Sequence, residues 1–373
     1  MNHKYTGKQV IKAGEVLLDD DIEKFETAMD ILSYWRFSHE TPLGEALKIL
    51  QETTLKIDKS AIFAKRLKRY PSIVNKLRRF KKMKLKNMQD IGGCRAIVSS
   101  PKKLTKIVRE LRKMPEFKNS EGKIRYKNYI EHPKEDGYRG YHLVGQFKDE
   151  YGELKDIEVQ LRTNLQHDWA TAVEIVDLFT GQALKSNQGD KEWKDFFSSV
   201  SEQFAFMENI HLFNTFDGNK KHKEYTINLQ ENHKVKESRA YIQSDIKKLN
   251  VISKFEAFAH SLRIVDETIE KNSADGYVLV EVKIEDATAT VKTIFFNQEN
   301  NKDAEKLYIE TEKKSAGKSN VVVALVSTTA VGGIKEAYPN YFADSTEFLK
   351  HLMFVTTEPV QKKQSFISGL FNT

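Results

Sequence analysis

Three residues at alternate positions, Glu158, Gln160 and Arg162, set an acid, an amide and a guanidinium within LKDIEVQLRTNLQHDWATAVE, residues 154 to 174. Strand side chains repeat every two residues, so these three share one face while Ile157, Val159 and Leu161 share the other. The strand runs straight into a helix, with Thr163 placed to cap it and Leu165, Trp169, Ala172, Val173 and Val176 as its apolar stripe. A half-buried strand with a solvated polar side has the same pattern, so two further segments carry weight. In KNMQDIGGCRAIVS, residues 86 to 99, Asp90 precedes a Gly-Gly pair suited to a tight turn and a short buried strand. In NYIEHPKEDGYRGYHLVG, residues 128 to 145, a polar loop carries Lys134 and Tyr138 between two strands. Asp90 and Glu158, two acids at separate strand ends, suit Mg²⁺, which takes carboxylate oxygens together with substrate phosphates. Tyr138, between Gly137 and Gly140, is an aromatic on a flexible loop, as base stacking requires.

MQDIGGCRAIV, GYRGYHL and IEVQLRTNLQHDWA resemble, in order and spacing, the synthetase domain of the RelA/SpoT family, over about Ala61 to Glu208. The resemblance implies transfer of pyrophosphate from ATP to a ribose 3′-hydroxyl, with release of AMP. It implies that Asp90 and Glu158 hold Mg²⁺, that Glu158 also takes the hydroxyl proton, and that Tyr138 stacks on the acceptor base. Lys134, His142, Gln160 and Arg162 fall at acceptor contacts. Lys65, Arg66, Lys68, Ser72 and Lys76 fall at ATP phosphate contacts, with Arg95 against adenine. The family's guanosine-alarmone makers commonly read Gly-Tyr-Arg-Ser where this chain has Gly140 after Arg139, which leaves the acceptor open. His167-Asp168 superficially resembles the HD hydrolases, but no other His/Asp set completes their metal site. Synthesis without hydrolysis is expected, with His167 structural.

Between Ala64 and Lys86 lie eleven Lys or Arg residues and no acid. The ATP contacts leave Arg78, Arg79, Lys81, Lys82, Lys84 and Lys86 over; they form either a solubilising face or a track for a nucleic-acid backbone. At 373 residues, 39% apolar and 30% charged, with a net charge of +7, the chain has the composition of a soluble protein of about two domains. No apolar run approaches the roughly 20 residues of a membrane span. The N-terminus lacks the apolar core of a signal peptide, and the lone Cys94 rules out an internal disulfide and a cysteine zinc cluster. A cytoplasmic protein is expected.

The elements that must position these residues read as α+β: a mixed sheet packed with helices, a helical extension and a small C-terminal α+β module. Helices are expected over 20–35 and over 41–55, the latter with a Thr41 cap. Strands are expected over 94–99, 125–131, 140–148 and 154–162, and a helix opens at Ser100-Pro101. Trp193, Phe196, Phe197, Val200 and Phe204 make a further core stripe, and 223–271 is mostly helical. NSADG, 272–276, marks the best boundary, so the division is 1–222, 223–272 and 273–373. Beyond it come strands 277–284, 288–296 and 320–327, a helix 301–314 and helical pieces near 332–338 and 345–353.

Within that last module, Tyr338 and Tyr341 flank Pro339-Asn340 in YPNYFAD. Two half-buried tyrosines explain such a pair in most proteins. A synthetase followed by this segment resembles the CapRel family of fused toxin–antitoxins of anti-phage defence. That resemblance implies pyrophosphorylation of the tRNA CCA end, a C-terminal half that covers the ATP site through Tyr338 and Tyr341, and relief by a phage capsid protein. The other readings are an alarmone synthetase acting on GDP or GTP, and an inactive RNA-binding protein that keeps the fold; intact Asp90 and Glu158 argue against the second. A monomer is expected.

Overall fold

The alternation in residues 154–163 produces the central strand of the protein. In the computed structural model, which describes residues 5–18, 22–180, 190–212, 218–252, 255, 276–285, 288–315, 318, 321–327 and 346–357, this is β5 (Leu154–Thr163). Ile157, Val159 and Leu161 have no exposed surface. β5 pairs in parallel with β2 (Gly92–Val98) and antiparallel with β4 (Tyr141–Lys148). With β1 (Ile62–Leu67) and β3 (Arg125–Asn128) at the edges, the order is β1-β2-β5-β4-β3, a mixed sheet. Two helices cover its apolar face, α3 (Glu40–Leu55) and α5 (Pro101–Leu111), the latter capped by Ser100 as expected. Cys94 belongs to this core, where burial pushes its thiol up to about 12, so it packs and does not react.

Two expectations change. The helix over 41–55 begins at Glu40, with His39 at its N-cap and no side-chain cap bond, so Thr41 is inside it. Only Ser38 and His39 separate it from α2 (Ile22–Phe37), and His39 Nδ1 lies 2.7 Å from the Trp35 carbonyl oxygen, leaving no free turn for a threonine cap. Strand β1 falls inside the cationic run, whose charges hide an alternation. Phe63 is buried at 2% exposure, and Lys65 and Arg66 point to opposite faces of an edge strand.

The remaining N-terminal helices are α1 (Gly7–Val16), which packs on α2, and α4 (Tyr70–Arg79), which follows β1. Beyond β5, α6 (Asn164–Thr180), α7 (Lys191–Asn209), α8 (Gly218–Gln230) and α9 (His233–Lys248) share one apolar cluster. The expected stripe from Trp193 to Phe204 is its centre, all of it buried. No helix among the described residues is long and apolar enough to cross a membrane.

The C-terminal segment forms β6 (Gly276–Glu285), β7 (Thr288–Asn297) and β8 (Val321–Ser327) in the antiparallel order β7-β6-β8, with α10 (Asn301–Ser315) packed on it. Its last described helix, α11 (Thr346–Thr356), leaves that module. Phe348, Leu352 and Val355 enter the cluster of α6 to α9, and Arg239 and Gln243 donate to the carbonyls of Val355, Thr357 and Thr356 at its end. Tyr338, Tyr341 and the piece near 332–338 lie outside the described residues.

A second contact joins α10 to the start of the chain. Arg36 Nη1 donates to Glu312 Oε2 at 2.7 Å, Arg36 Nη2 to Tyr308 Oη at 2.5 Å, and the Tyr308 hydroxyl to Glu312 Oε1 at 2.7 Å. Both charged side chains are 4% exposed. Burial alone would lower the Arg36 pKa, but Glu312 and Tyr308 outweigh it and hold the guanidinium above its ordinary value. Removing one partner of such a pair strands a charge, whereas replacing both with apolar groups does not. Arg36→Ala should therefore cost about 3–5 kcal/mol in urea unfolding of the full chain, and Arg36→Met/Glu312→Leu much less. Equal losses in the two variants would show that the pair is not coupled.

Candidate active site

Glu158, Gln160 and Arg162 face away from α3 and α5, on the open side of the sheet. Strand register sets their neighbours: Glu158 lies beside Gly93 and Val144, and Gln160 beside Arg95 and His142. Five hydrogen bonds close a ring. Gln160 Nε2 donates to Glu158 Oε2 at 2.6 Å, and Arg162 Nη2 to Gln160 Oε1 at 3.0 Å. Arg162 Nε donates to Tyr138 Oη at 3.2 Å. His142 joins the two ends, with Nε2 at 2.6 Å from Tyr138 Oη and Nδ1 at 3.0 Å from Glu158 Oε1. With Nδ1–H donating to the carboxylate, the phenol can donate to Nε2 while accepting from Arg162. Burial would raise the Glu158 pKa, but His142, Gln160 and Lys76 outweigh it and hold the carboxylate well below its usual range. Burial also raises the Tyr138 hydroxyl, against the Arg162 charge, so it stays a donor.

The loop before β4 brings Tyr138 into the ring. Lys134 Nζ lies over the Tyr138 ring at 4.6 Å from its centroid and the Arg162 guanidinium at 5.0 Å. Two glycines allow the fold-back. Gly137 has φ +89°, and a Cβ there would lie 3.0 Å from the Cα of Ser198 on α7. At Gly140 a Cβ would lie 3.0 Å from Tyr138 Oη, so the lack of a side chain there leaves room for the phenol.

The other half of the site is cationic. Asp90 takes Lys68 Nζ at 3.1 Å and Lys76 Nζ, from α4, at 2.8 Å. Burial lowers the Lys68 pKa, against Asp90, which raises it. Ser72 lies in the first turn of α4. Register places Arg66 beside Gly93 and on the open face, whereas Lys65 is on the helix-covered face, bound to Glu40 at 2.5 Å. Arg95 is on the open face but only 8% exposed, and its charge reaches His167 of α6. His167 is driven well below its ordinary pKa by burial, then by Arg95 and Arg162, which suits a neutral packing residue. The structure thus brings Asp90, Lys68 and Lys76 together, and Glu158, His142, Tyr138, Lys134, Gln160 and Arg162 together, with Lys76 acting on both groups. Arg78 and Arg79 are exposed at the end of α4, as are Lys81, Lys82 and Lys86 beyond it, while Lys84 pairs with Glu15 at 2.5 Å.

Residues 65–176 match the family described as "Region found in RelA / SpoT proteins". GTP pyrophosphokinase YwaC of Bacillus subtilis (strain 168) is 32% identical over 115 residues, 28% of this chain and 52% of that protein. The chain therefore spans about half the length of this curated relative. Among solved structures, the small alarmone synthetase 1 of Bacillus subtilis bound to its product pppGpp is 23% identical, covering 47% of this chain and 93% of that one, with a TM-score of 0.39. A GTP pyrophosphokinase family protein from Streptococcus pneumoniae is 21% identical, covering 53% and 94%, with a TM-score of 0.40.

Within the matched residues, the groups that could hold Mg²⁺ are two carboxylates, Asp90 and Glu158. No group of three or more His, Cys, Asp or Glu side chains among the described residues could hold a metal by itself. Asp90 Oδ1 is buried and meets the Lys76 ammonium outside hydrogen-bond geometry, an anionic oxygen suited to a cation. This fits an ion that takes one or two protein carboxylates and completes its shell with phosphates and water.

One cluster was missed in the sequence. Thr163 and Gln166 form a reciprocal capping box at the start of α6, at 3.2 and 3.3 Å, and both side chains donate to Glu208 of α7. Ser201, one helical face along, donates to the Gly137 carbonyl and accepts from Arg139 Nε at 3.1 Å. The Thr-x-x-Gln spacing was readable as a cap; Glu208, 45 positions away, was not. Burial raises the Glu208 carboxyl from 4.5 to about 7, against the Thr163 and Gln166 hydrogen bonds. Its folded pKa lies above the unfolded one, so its contribution is complete below about pH 4.3 and is lost as pH rises through 7. Stability should fall by about 3–4 kcal/mol across that window, and Glu208→Gln should flatten the fall. Parallel unfolding profiles of parent and variant from pH 4 to 8 would contradict the assignment.

Proposed function

We propose that this chain is an ATP-dependent pyrophosphokinase that modifies the 3′-hydroxyl of the tRNA CCA end, releases AMP and so blocks translation. The observation that carries the reaction is the pairing, inside the RelA/SpoT region, of an ionised Glu158 held by the ring with an Asp90 clasped by two lysines. Lys68 and Lys76 can neutralise donor phosphates, with Arg66 and Ser72 beside them, and Glu158 can accept the hydroxyl proton. Asp90 and Glu158 would hold Mg²⁺, which would supply positive charge against the donor phosphates. An acceptor base stacking on Tyr138 would lie against a ring whose hydroxyl is already fixed.

The choice of tRNA is supported by the exposed cations Arg78, Arg79, Lys81, Lys82 and Lys86, continuous with the donor site through α4. Backbone contacts of this kind release counterions and give steep salt dependence. A second reading, alarmone synthesis on GDP or GTP, is favoured by the likeness to a GTP pyrophosphokinase. Labelled ATP offered separately with tRNA, GDP and GTP decides between them. Transfer to tRNA is expected, abolished by Glu158→Gln, and weakened with a flatter salt dependence in Lys81→Ala/Lys82→Ala/Lys84→Ala. Transfer to GDP or GTP alone would establish the second reading, and near-normal turnover by Glu158→Gln would overturn the catalytic assignment.

The C-terminal module, on this reading, holds the enzyme off in anti-phage defence until a phage capsid protein binds it. The support is the resemblance of YPNYFAD. A tethered tyrosine needs only weak contacts to compete, because the tether raises its local concentration to the millimolar range. Tyr338→Ala and Tyr341→Ala should each release activity without a trigger and make expression toxic, and Asp90→Asn in the same chain should cancel the toxicity. Tyrosine variants that lose only soluble yield would return the pair to core packing.

A further inference from the structure

We infer that Glu312, on the C-terminal helix α10, is a positioning residue for the ATP half of the site: it supplies the N-terminal cap that α4 lacks. This deepens the proposed function and rests on it for the identity of the ligand.

Helix α4 starts poorly from its own sequence. Its N-cap residue, Arg69, makes no side-chain cap bond, and Pro71 brings no N–H to the first turn. The Tyr70 N–H is instead taken by Glu312 Oε1 at 3.2 Å, across 242 positions of chain. A carboxylate at this end of a helix also meets the positive end of the helix dipole. The far end is provided for locally, since Lys76, Arg78 and Arg79 lie in the last turn, where cations are favoured. The start of α4 is therefore the end that depends on another part of the chain.

Glu312 is well fixed for that task. Arg36 holds one of its oxygens and Tyr308 the other, and Arg36 also donates to the Tyr308 hydroxyl while lying over its ring, 5.3 Å from the centroid. With 4% of its side chain exposed, the carboxylate has little freedom to turn away. It ties the beginning of α4 to α2. From that point the helix carries Ser72 in its first turn and Lys76 about 9 Å along the axis, by the usual helical rise. Lys76 sits 2.8 Å from Asp90. A tilt at Tyr70 therefore moves the ammonium that faces both Asp90 and the phosphate subsite, while the ring around Glu158 and Tyr138 keeps its own supports.

The test uses the full chain with Glu312→Ala, and Arg69→Ser added in that background to give α4 a cap from its own N-cap position. ATP binding is titrated without acceptor, half-saturation by ATP and by acceptor is measured separately, and amide exchange is followed over residues 70–79. Glu312→Ala should raise half-saturation by ATP about tenfold, move that of the acceptor less than twofold, and speed exchange at the start of α4. Arg69→Ser should recover at least threefold of the lost ATP affinity, which detachment of the C-terminal module alone would not allow. Glu312→Gln, which keeps an acceptor oxygen and a similar shape, should fall between parent and Glu312→Ala. The inference is overturned if Glu312→Ala binds ATP within twofold of the parent, or if Arg69→Ser restores nothing. If the parent binds no ATP, the proposed function falls, and exchange over 70–79 still decides the cap: unchanged rates in Glu312→Ala overturn it.

Discussion

A half-buried carboxylate on a sheet face has to be met by donors, and the way Glu158 is met organises this protein. Each oxygen has one partner, His142 or Gln160, and each partner is in turn held by a residue that also touches Tyr138 or Arg162. No member can rotate without opening the ring. The constraint reaches into the backbone: it requires β4 to lie beside β5 in one register, and the loop before β4 to double back over Gly140. It sends Ile157, Val159 and Leu161 to the opposite face, where α3 and α5 cover them, because strand alternation leaves them no other place.

The helices serve that sheet in different ways. α3 and α5 supply a lipid-like cover on the face without chemistry. α6 and α7 meet the reactive end, where Glu208 grips the Thr163 cap and Ser201 grips the Gly137 loop, so the strand end and the loop are anchored to one helix. α10 and α11 come from the far end of the chain and attach at separate places, one by a buried ion pair and one by Phe348, Leu352 and Val355. Ion pairing confers orientation at little net gain, whereas apolar burial confers most of the adhesion.

The legibility of the sequence follows from the range of the interactions. Period-two alternation is local, and the faces of β5 came out as read, as did the Ser100 cap and the Thr163 cap. The C-terminal strands and α10 matched their expected spans to within a few residues. β1 was hidden because its own charges dominate a six-residue edge strand, and Thr41 misled because the link from α2 is only two residues long. Asp90 and Glu158 could be nominated by residue type, but the ring could not, since it depends on Tyr138 turning back to His142. Glu312 was out of reach altogether: nothing near it in sequence marks it as the cap of a helix that starts at Tyr70.

The separation of those partners has a consequence during synthesis. Every strand of the five-stranded sheet and every member of the ring has been made by Thr163, but Glu312 follows about 150 residues later and α11 later still. At a ribosomal rate of roughly 5–20 residues per second, the nascent chain waits on the order of ten seconds or more for them. During that interval α4 hangs from the sheet with its first N–H facing water, and the cluster of α6 and α7 lacks the aromatic ring of Phe348. The newborn chain is thus a different object from the finished one, because α2 and α4 meet their partner on α10 only once Glu312 has been made.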